Sequence, residues 1–543
     1  MKNYLLILLA VFVINFTGCT TKIKYELEGV TNTTVEQKKV PLFVDRENPD
    51  VFQIHLDIEQ GKIYDLKRIT LVLSENSQAE FLNSVNSEWS AALPQDTLTT
   101  NFSQTHVLSN NTIVIEGDAT FTNGSHSLAF QFQVKNDAVL RQRFSVEKAI
   151  LTLGKNRLAI EVEQPFAFRP AKVVRAAGQD NCDTYRIPGL ITTGKGTLIA
   201  VYDNRYNNSK DLQEDIDIGM SRSTDGGQTW EPMKVIMDMG EWGGLPQELN
   251  GIGDPSVLYD PVNHTIWVAA VWMHGFDKNQ MGWWASKPGI SPEKTGQFML
   301  VKSTDDGLTW SEPINITEQI KDPAWQYLLQ GPGKGITLTD GTLVFPAQFK
   351  AELGEKAIDG GPYTPHSTII YSKDGGETWS IGTGAKTNTT EAQVVELSDG
   401  SLMLNMRDDR NRKDKSETNG RAIAITKDLG KTWEIHPSSN SALQEPNCMA
   451  SLIASKQELN GETKQVLFFS NPNNTNQRTN MTIKASLDEG MTWPEAYQLE
   501  LNETGGYGYS CMTMVDENTV GILYEGVKEL YFQSIPVTEI IRQ

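Results

Sequence analysis

An all-β chain, a small β-sandwich followed by a six-bladed β-propeller, is the fold class that the sequence predicts, and three observations predict it. The first is a box of the form Ser/Thr-x-Asp-x-Gly-x-Thr-Trp that occurs five times. It reads "SRSTDGGQTW" from Ser221, "KSTDDGLTW" around Asp305, "SKDGGETW" around Asp374, "TKDLGKTW" around Asp428 and "SLDEGMTW" around Asp488. The second is what lies between the boxes: strand-like runs such as "TIWVAAVWM", "GTLVFPAQF", "SLMLNMR" and "QVLFFS". Roughly four strands per interval match a propeller blade. The third is composition, because 44 Gly, 23 Pro and 12 Trp with 38% hydrophobic residues suit a turn-rich, core-forming β protein.

The elements follow in chain order. Lys2 and the unbroken apolar run 5–14 make a secretory signal too short to span a bilayer. The signal ends in Phe-Thr-Gly-Cys, which resembles a bacterial lipoprotein box with Cys19 as the lipidated residue. Residues 20–39 are polar and Thr/Lys-rich and read as a tether. From 40 to 168 short alternating strands ("VFQIHLDI", "RITLVLS", "NTIVIEG", "HSLAFQFQV", "AILTLG", "RLAIEVEQ") predict the β-sandwich, a candidate carbohydrate-binding module. The two prolines of "QPFAFRPAKVVR" mark the boundary, and 172–543 is the propeller. Box starts at 223, 303, 372, 426 and 486 are unevenly spaced, as equivalent units with loop insertions would be. Five boxes and one unmarked blade, closed jointly by the two ends of the repeat region, make six. In each box Asp and Ser/Thr cap backbone donors, Gly supplies positive φ and Trp plugs the gap between neighbouring sheets. The boxes are therefore folding staples.

At 543 residues two domains are expected. The formal charge of −20 repels a phosphate backbone and excludes nucleic acid as a partner. An anionic small substrate must instead be captured by locally clustered cations. Cys182, Cys448 and Cys511 show no C-x-x-C spacing, so neither a disulfide framework nor a structural zinc site is expected.

The ordered boxes, with "TYRIPGL" at 184–190 just upstream of the first, resemble the bacterial exo-α-sialidase (neuraminidase) family over about 370 residues. That resemblance implies a set of site residues. Sialic acid carries a carboxylate beside its anomeric carbon, and a planar, permanently charged fork suits it better than an ammonium. The family's three arginines match Arg186 in "YRIP", Arg407 in "LNMRDD" and Arg478 in "NNTNQRTN"; Glu525 in "LYEG" matches the carboxylate that orients the first. The general acid/base matches Asp211 in the acidic stretch 202–221, after a second substrate-facing arginine, Arg205, with Asp215 as its nearest rival. Such an Asp must be partly desolvated to hold a proton near neutral pH. The nucleophile matches Tyr509 in "GGYGYSCM", with Glu391 in "NTTEAQ" as the base that activates it. Asp254 in "GIGDPS" resembles the residue that contacts the N-acyl group; "NQMGWW" (279–284) is a candidate wall of that pocket, and Gln348 is a candidate on the aglycone side.

The resemblance implies a retaining exo-α-sialidase that releases terminal sialic acid from glycoproteins, gangliosides or oligosaccharides, as a monomer and without metal or organic cofactor. Two other readings stay open: a trans-sialidase, including the intramolecular type, and a non-catalytic glycan-binding propeller. The N-terminus implies an exported lipoprotein, periplasmic or at the cell surface, that meets the membrane only through Cys19.

Overall fold

The computed structural model describes residues 23–92, 97–103, 106–109, 111–272 and 280–542, in which strands dominate. The signal run and Cys19 lie outside the described residues. Eight sheets account for the strands. Two of them precede the boxes. One has six strands, with Tyr64–Leu73, Val146–Leu153 and Thr112–Phe121 at its centre; the other has five, centred on Phe52–Ile58 and Gly124–Val134. Alternation dictates this arrangement. In Phe52–Ile58 every second side chain is buried, so each strand presents one apolar face.

Of the segment 20–39, expected as a tether, the described part from Ile23 onward contributes two strands to these sheets. Ile23–Lys24 pairs in parallel with Asn156–Glu161, and Val30–Gln37 pairs antiparallel with Phe52–Ile58. Its β-branched residues explain the correction, because Val30 and Val35 pack against the apolar core while the threonines suit a half-exposed strand. Leaving the N-terminal sheets, Leu42–Phe43 pairs with Pro170–Arg175 in the last sheet of the chain. Pro170 stands at the first position of its strand, where a missing N–H is tolerated.

Six sheets follow. The first runs Thr184–Thr192, Leu198–Arg205, Ile216–Ser223 and Lys234–Met237, each strand antiparallel to the last. Four more repeat this up-and-down order with small additions. The sixth joins Ser510–Asp516, Thr519–Glu525 and Leu530–Pro536 to Pro170–Arg175, so both ends of the repeat region share it. Successive sheets touch through their innermost strands, and Ser510–Asp516 of the sixth returns to Thr184–Thr192 of the first.

The boxes sit between the third and fourth strands of the first five sheets. Ser223 Oγ accepts from Gly227 N (2.9 Å) and donates to Asp225 Oδ1 (2.8 Å); Asp225 also accepts from Thr229 N (2.9 Å) and Thr229 Oγ1 (2.6 Å). The same four bonds recur in the boxes of Asp305, Asp374, Asp428 and Asp488. Gly227 is required twice over, since its φ is +88° and a Cβ there would strike the Phe532 ring. Trp310, Trp379, Trp433 and Trp493 each join the apolar cluster shared with the preceding sheet, and Trp230 meets Phe532 of the sixth edge-on at 5.3 Å. Five turns with the same bonds thus fasten each of the first five sheets to the one before it, the first to the sixth.

Candidate active site

In an antiparallel hairpin the start of one strand lies beside the end of the next, and this places the site residues on one face of the molecule. Thr184 pairs with Arg205, Thr389 with Asp408 and Ser510 with Tyr524. Arg186, Asp254 and Glu391 therefore stand near the starts of innermost strands and Tyr509 just before one; Arg205, Arg407 and Glu525 stand near the ends of second strands. Pairing shifts register at Arg186/Gly189, Gly253/Ser256 and Thr389/Ala392, which turns side chains out of the ladder. Ile187 and Asp254 hold φ of +57° and +59° at two of these shifts. A β-branched residue in that region is strained, and here Ile187 N donates to the buried Glu525 carboxylate (2.9 Å).

These ends surround a cleft of about 290 Å³ lined by Asp211, Asp254, Gln348, Glu391, Arg407, Arg478 and Tyr509 among others. At its floor the Tyr509 hydroxyl donates to Glu391, and Arg407 Nη1 reaches Glu391 Oε2 at 2.6 Å and Tyr509 Oη at 3.1 Å. Burial pushes the Tyr509 phenol well above its ordinary value, reinforced by the Glu391 charge and opposed by Arg407 and Arg478. Burial also works to raise Glu391, but Arg407 and the Tyr509 hydroxyl outweigh it and hold the carboxyl below the usual range. The result is a neutral phenol whose proton already faces an ionised base.

Three arginines converge here. Arg186 Nε donates to Glu525 Oε1 (3.0 Å), and Glu525 also accepts from Tyr509 N (2.8 Å), so one buried carboxylate aligns both Arg186 and Tyr509. Arg407 Nη2 binds Asn447 Oδ1 (3.0 Å); Arg478 Nη1 binds the Tyr507 carbonyl (2.8 Å). Asn447 was not among the expected residues. It holds Arg407 through its side chain, and its carbonyl accepts from Arg478 Nη2 at 3.4 Å.

Asp211 differs from expectation. Its Oδ1 accepts from Arg186 Nη1 (2.7 Å) and Arg205 Nη1 (2.6 Å) while about half of the side chain (47%) is open. Partial burial works to raise this carboxyl, but Arg205 and then Arg186 overcome it and hold it at about 2. Asp211 is thus ionised at neutral pH, and it occupies Nη1 of Arg186. Arg205 is fully buried, with Nε on Asp203 (3.0 Å), and faces Asp211 instead of the cleft. Asp215 is drawn elsewhere, to Gln247 at 3.1 Å. Asp254 is buried beside Asp203, and burial together with that neighbouring charge drives its carboxyl up.

Met281, Trp283 and Trp284 of "NQMGWW" line the cleft; residue 279 lies outside the described residues. Thr390 and Arg412 also line it and were not anticipated. Thr390 immediately precedes Glu391 and Arg412 follows closely on Arg407, and that proximity was the signal available.

A model of the BNR repeat-like domain family matches residues 196–522. A sialidase of Bacteroides fragilis strain YCH46 is 44% identical over 94% of this chain and 95% of its own. The solved structure of the Hadza microbial sialidase Hz136 is 41% identical and superposes with a TM-score of 0.79 over 92% of this chain and 99% of that one. An intramolecular trans-sialidase from Ruminococcus gnavus is 20% identical, with a TM-score of 0.54 over 68% of this chain and 98% of that one, a likeness of fold alone. With its repeats, its cleft and these relatives together, the chain belongs to the bacterial sialidase family with BNR repeats and is an enzyme of that class.

Proposed function

We propose that this sialidase is a retaining exo-enzyme that forms a covalent sialyl-tyrosine, and that its six box-bearing and closing sheets are the blades of a propeller behind an N-terminal β-sandwich. One observation carries the mechanism: the Tyr509 hydroxyl is bonded to Glu391 at the floor of a cleft where Arg186, Arg407 and Arg478 meet. A phenol is a poor nucleophile until a base takes its proton. Glu391, kept ionised by Arg407, is that base. A carboxylate nucleophile would meet the substrate's carboxylate with like-charge repulsion, whereas a phenol does not; tyrosine nucleophiles are a known exception among glycosidases.

In this mechanism the three arginines hold the substrate carboxylate and place the anomeric carbon over Tyr509. Asp211 protonates the leaving oxygen and later takes a proton from the incoming water. The substrate carboxylate must first displace Asp211 from Arg186. That exchange removes one cation from Asp211 and adds an anion, and both changes raise its pKa toward what a general acid needs. Terminal sialosides of glycoproteins, gangliosides and oligosaccharides are the proposed substrates.

Following sialyllactose by NMR tests the reading. The first product should be free sialic acid in the α configuration, appearing before mutarotation. A β-configured first product would mean inversion, and an anhydro sugar would mean intramolecular transfer.

A further inference from the structure

Behind the residues that line the cleft lies an ion pair that takes no part in the chemistry above. Arg421 stands just before the strand Ala422–Thr426, and Glu445 in the segment that leads to the fifth sheet. Both are wholly buried, and Arg421 Nη1 meets Glu445 Oε2 at 2.7 Å. Burying two charges gains little stability, because desolvation offsets much of the attraction. The purpose of the pair is read instead from the groups it holds.

Two short segments are fastened to it, each at both ends. The first carries Arg407. Asn405 accepts from Arg421 through its side chain (2.7 Å, Nε) and its carbonyl (3.2 Å, Nη2), while Asp408 N donates to Glu445 Oε1 (3.0 Å). The second segment carries Asn447, which contacts both Arg407 and Arg478. It begins at Glu445 itself, and three residues on the Cys448 carbonyl accepts from Arg421 Nη1 at 2.7 Å.

The nucleophile and its base are reached as well. Arg421 Nη2 lies 3.4 Å from the Glu391 carbonyl, and Cys448 packs with Ile187 and Tyr509. All five N–H groups of the Arg421 guanidinium therefore have acceptors, a planar set that the three donors of an ammonium cannot match. Displacing a reacting group by about 1 Å can cost roughly 100-fold in rate, so a rigid support at this place has a kinetic consequence.

We propose that Arg421 and Glu445 are positioning residues for the sialidase reaction. Without touching substrate, they fix Arg407 and Asn447 relative to Glu391 and Tyr509. The inference rests on the roles proposed above for Tyr509 and Glu391.

Kinetics of R421K test this, because lysine keeps the charge beside Glu445 but gives up two of the five donors. Its kcat should fall at least about tenfold while KM changes less than about threefold. Arg186 and Arg478 keep their contacts with Glu525 and the Tyr507 carbonyl, so substrate is still held. R222Q serves as the comparison. It breaks the contacts of another buried arginine with Glu231 and Asp306 at the box turns, and it should lower Tm while leaving kcat as in wild type. Wild-type kcat in folded R421K overturns the proposal, as does a loss carried by KM alone or one matched by R222Q. Should R421K fail to fold, E445Q has the same shape and keeps an acceptor for Asp408 N while breaking the charge pair, and the same outcomes decide. The rate of labelling by a 3-fluoro sialosyl fluoride should fall with kcat. Where that label sits in wild type decides the tyrosyl mechanism separately, so either reading can fail without the other.

Discussion

On the proposed mechanism Asp211 and the substrate carboxylate compete for the same nitrogen of Arg186, and the consequence is measurable as protons. Asp211 is held at about 2 in the free enzyme. A carboxylate ligand takes Arg186 and raises that value, so between about pH 3 and 6 binding should take up a proton. Calorimetry of a non-hydrolysed sialic acid analogue in buffers of different ionisation enthalpy should show the uptake, with affinity rising as pH falls. Asp211→Asn should abolish the uptake; uptake that survives in the variant would place the proton on another group. The clamp makes a second prediction. Arg407→Lys keeps a charge but gives up simultaneous contact with Glu391, Tyr509 and Asn447. Its kcat/KM should drop at least about tenfold, a loss of roughly 1.4 kcal/mol or more. Near-wild-type kinetics would remove Arg407 from the site.

Elements were legible where a repeat or an alternation wrote them. The boxes fixed five sheet edges because each needs the same Ser/Thr, Asp and Gly in the same places, whatever the loops between them do. Asp225→Ala removes three acceptor contacts from an exposed turn, so a cost of about 1 kcal/mol and a drop of a few degrees in Tm are expected. Scanning calorimetry checks this, with kcat unchanged because the box is remote from the cleft. Strands with weak alternation were missed. Leu82–Ala92 reads "LNSVNSEWSAA" and Val30–Gln37 reads "VTNTTVEQ", and both owe their place to neighbours in the five-stranded sheet. Tertiary pairing overrides local pattern in such segments. The same limit hid Arg412: its residue type and exposure look like solvated loop, and only the Asp409 anchor distinguishes it. The Asp211 contact with Arg186 was invisible for a related reason, since 25 residues and a hairpin separate the pair.

At the scale of the whole molecule, the N-terminal sheets lend no side chain to the cleft lining among the described residues, yet they share one apolar cluster with the first and sixth of the sheets that follow. Phe132, Phe144 and Phe168 belong to the same cluster as Tyr185, Tyr202 and Phe532. Arg46–Glu529, Arg141–Asp516 and Arg143–Glu539 bridge the two regions, and Leu42–Phe43 extends the sixth sheet. The sequence puts the boundary near Pro165–Arg175, and the strand Pro170–Arg175 belongs to the sheet that closes the repeats. A chain beginning at Pro170 should therefore still cleave a small fluorogenic sialoside at low temperature, with a Tm several degrees below that of the full chain. Full thermal stability would mean that the shared cluster contributes little; a folded but inactive product would mean that the N-terminal region shapes the cleft.

The central claim is the nucleophile, and a 3-fluoro sialosyl fluoride tests it most directly. Fluorine at C3 destabilises the charged transition states while the fluoride leaving group still permits the first step, so the covalent enzyme should accumulate. Peptide mapping should place the added mass on Tyr509 within "GGYGYSCMTM". Tyr509→Phe removes only the phenolic oxygen and should abolish the adduct in a folded protein, and Glu391→Gln should slow its formation without moving it. An adduct on Asp211, or none from an active enzyme, would contradict the assignment of Tyr509.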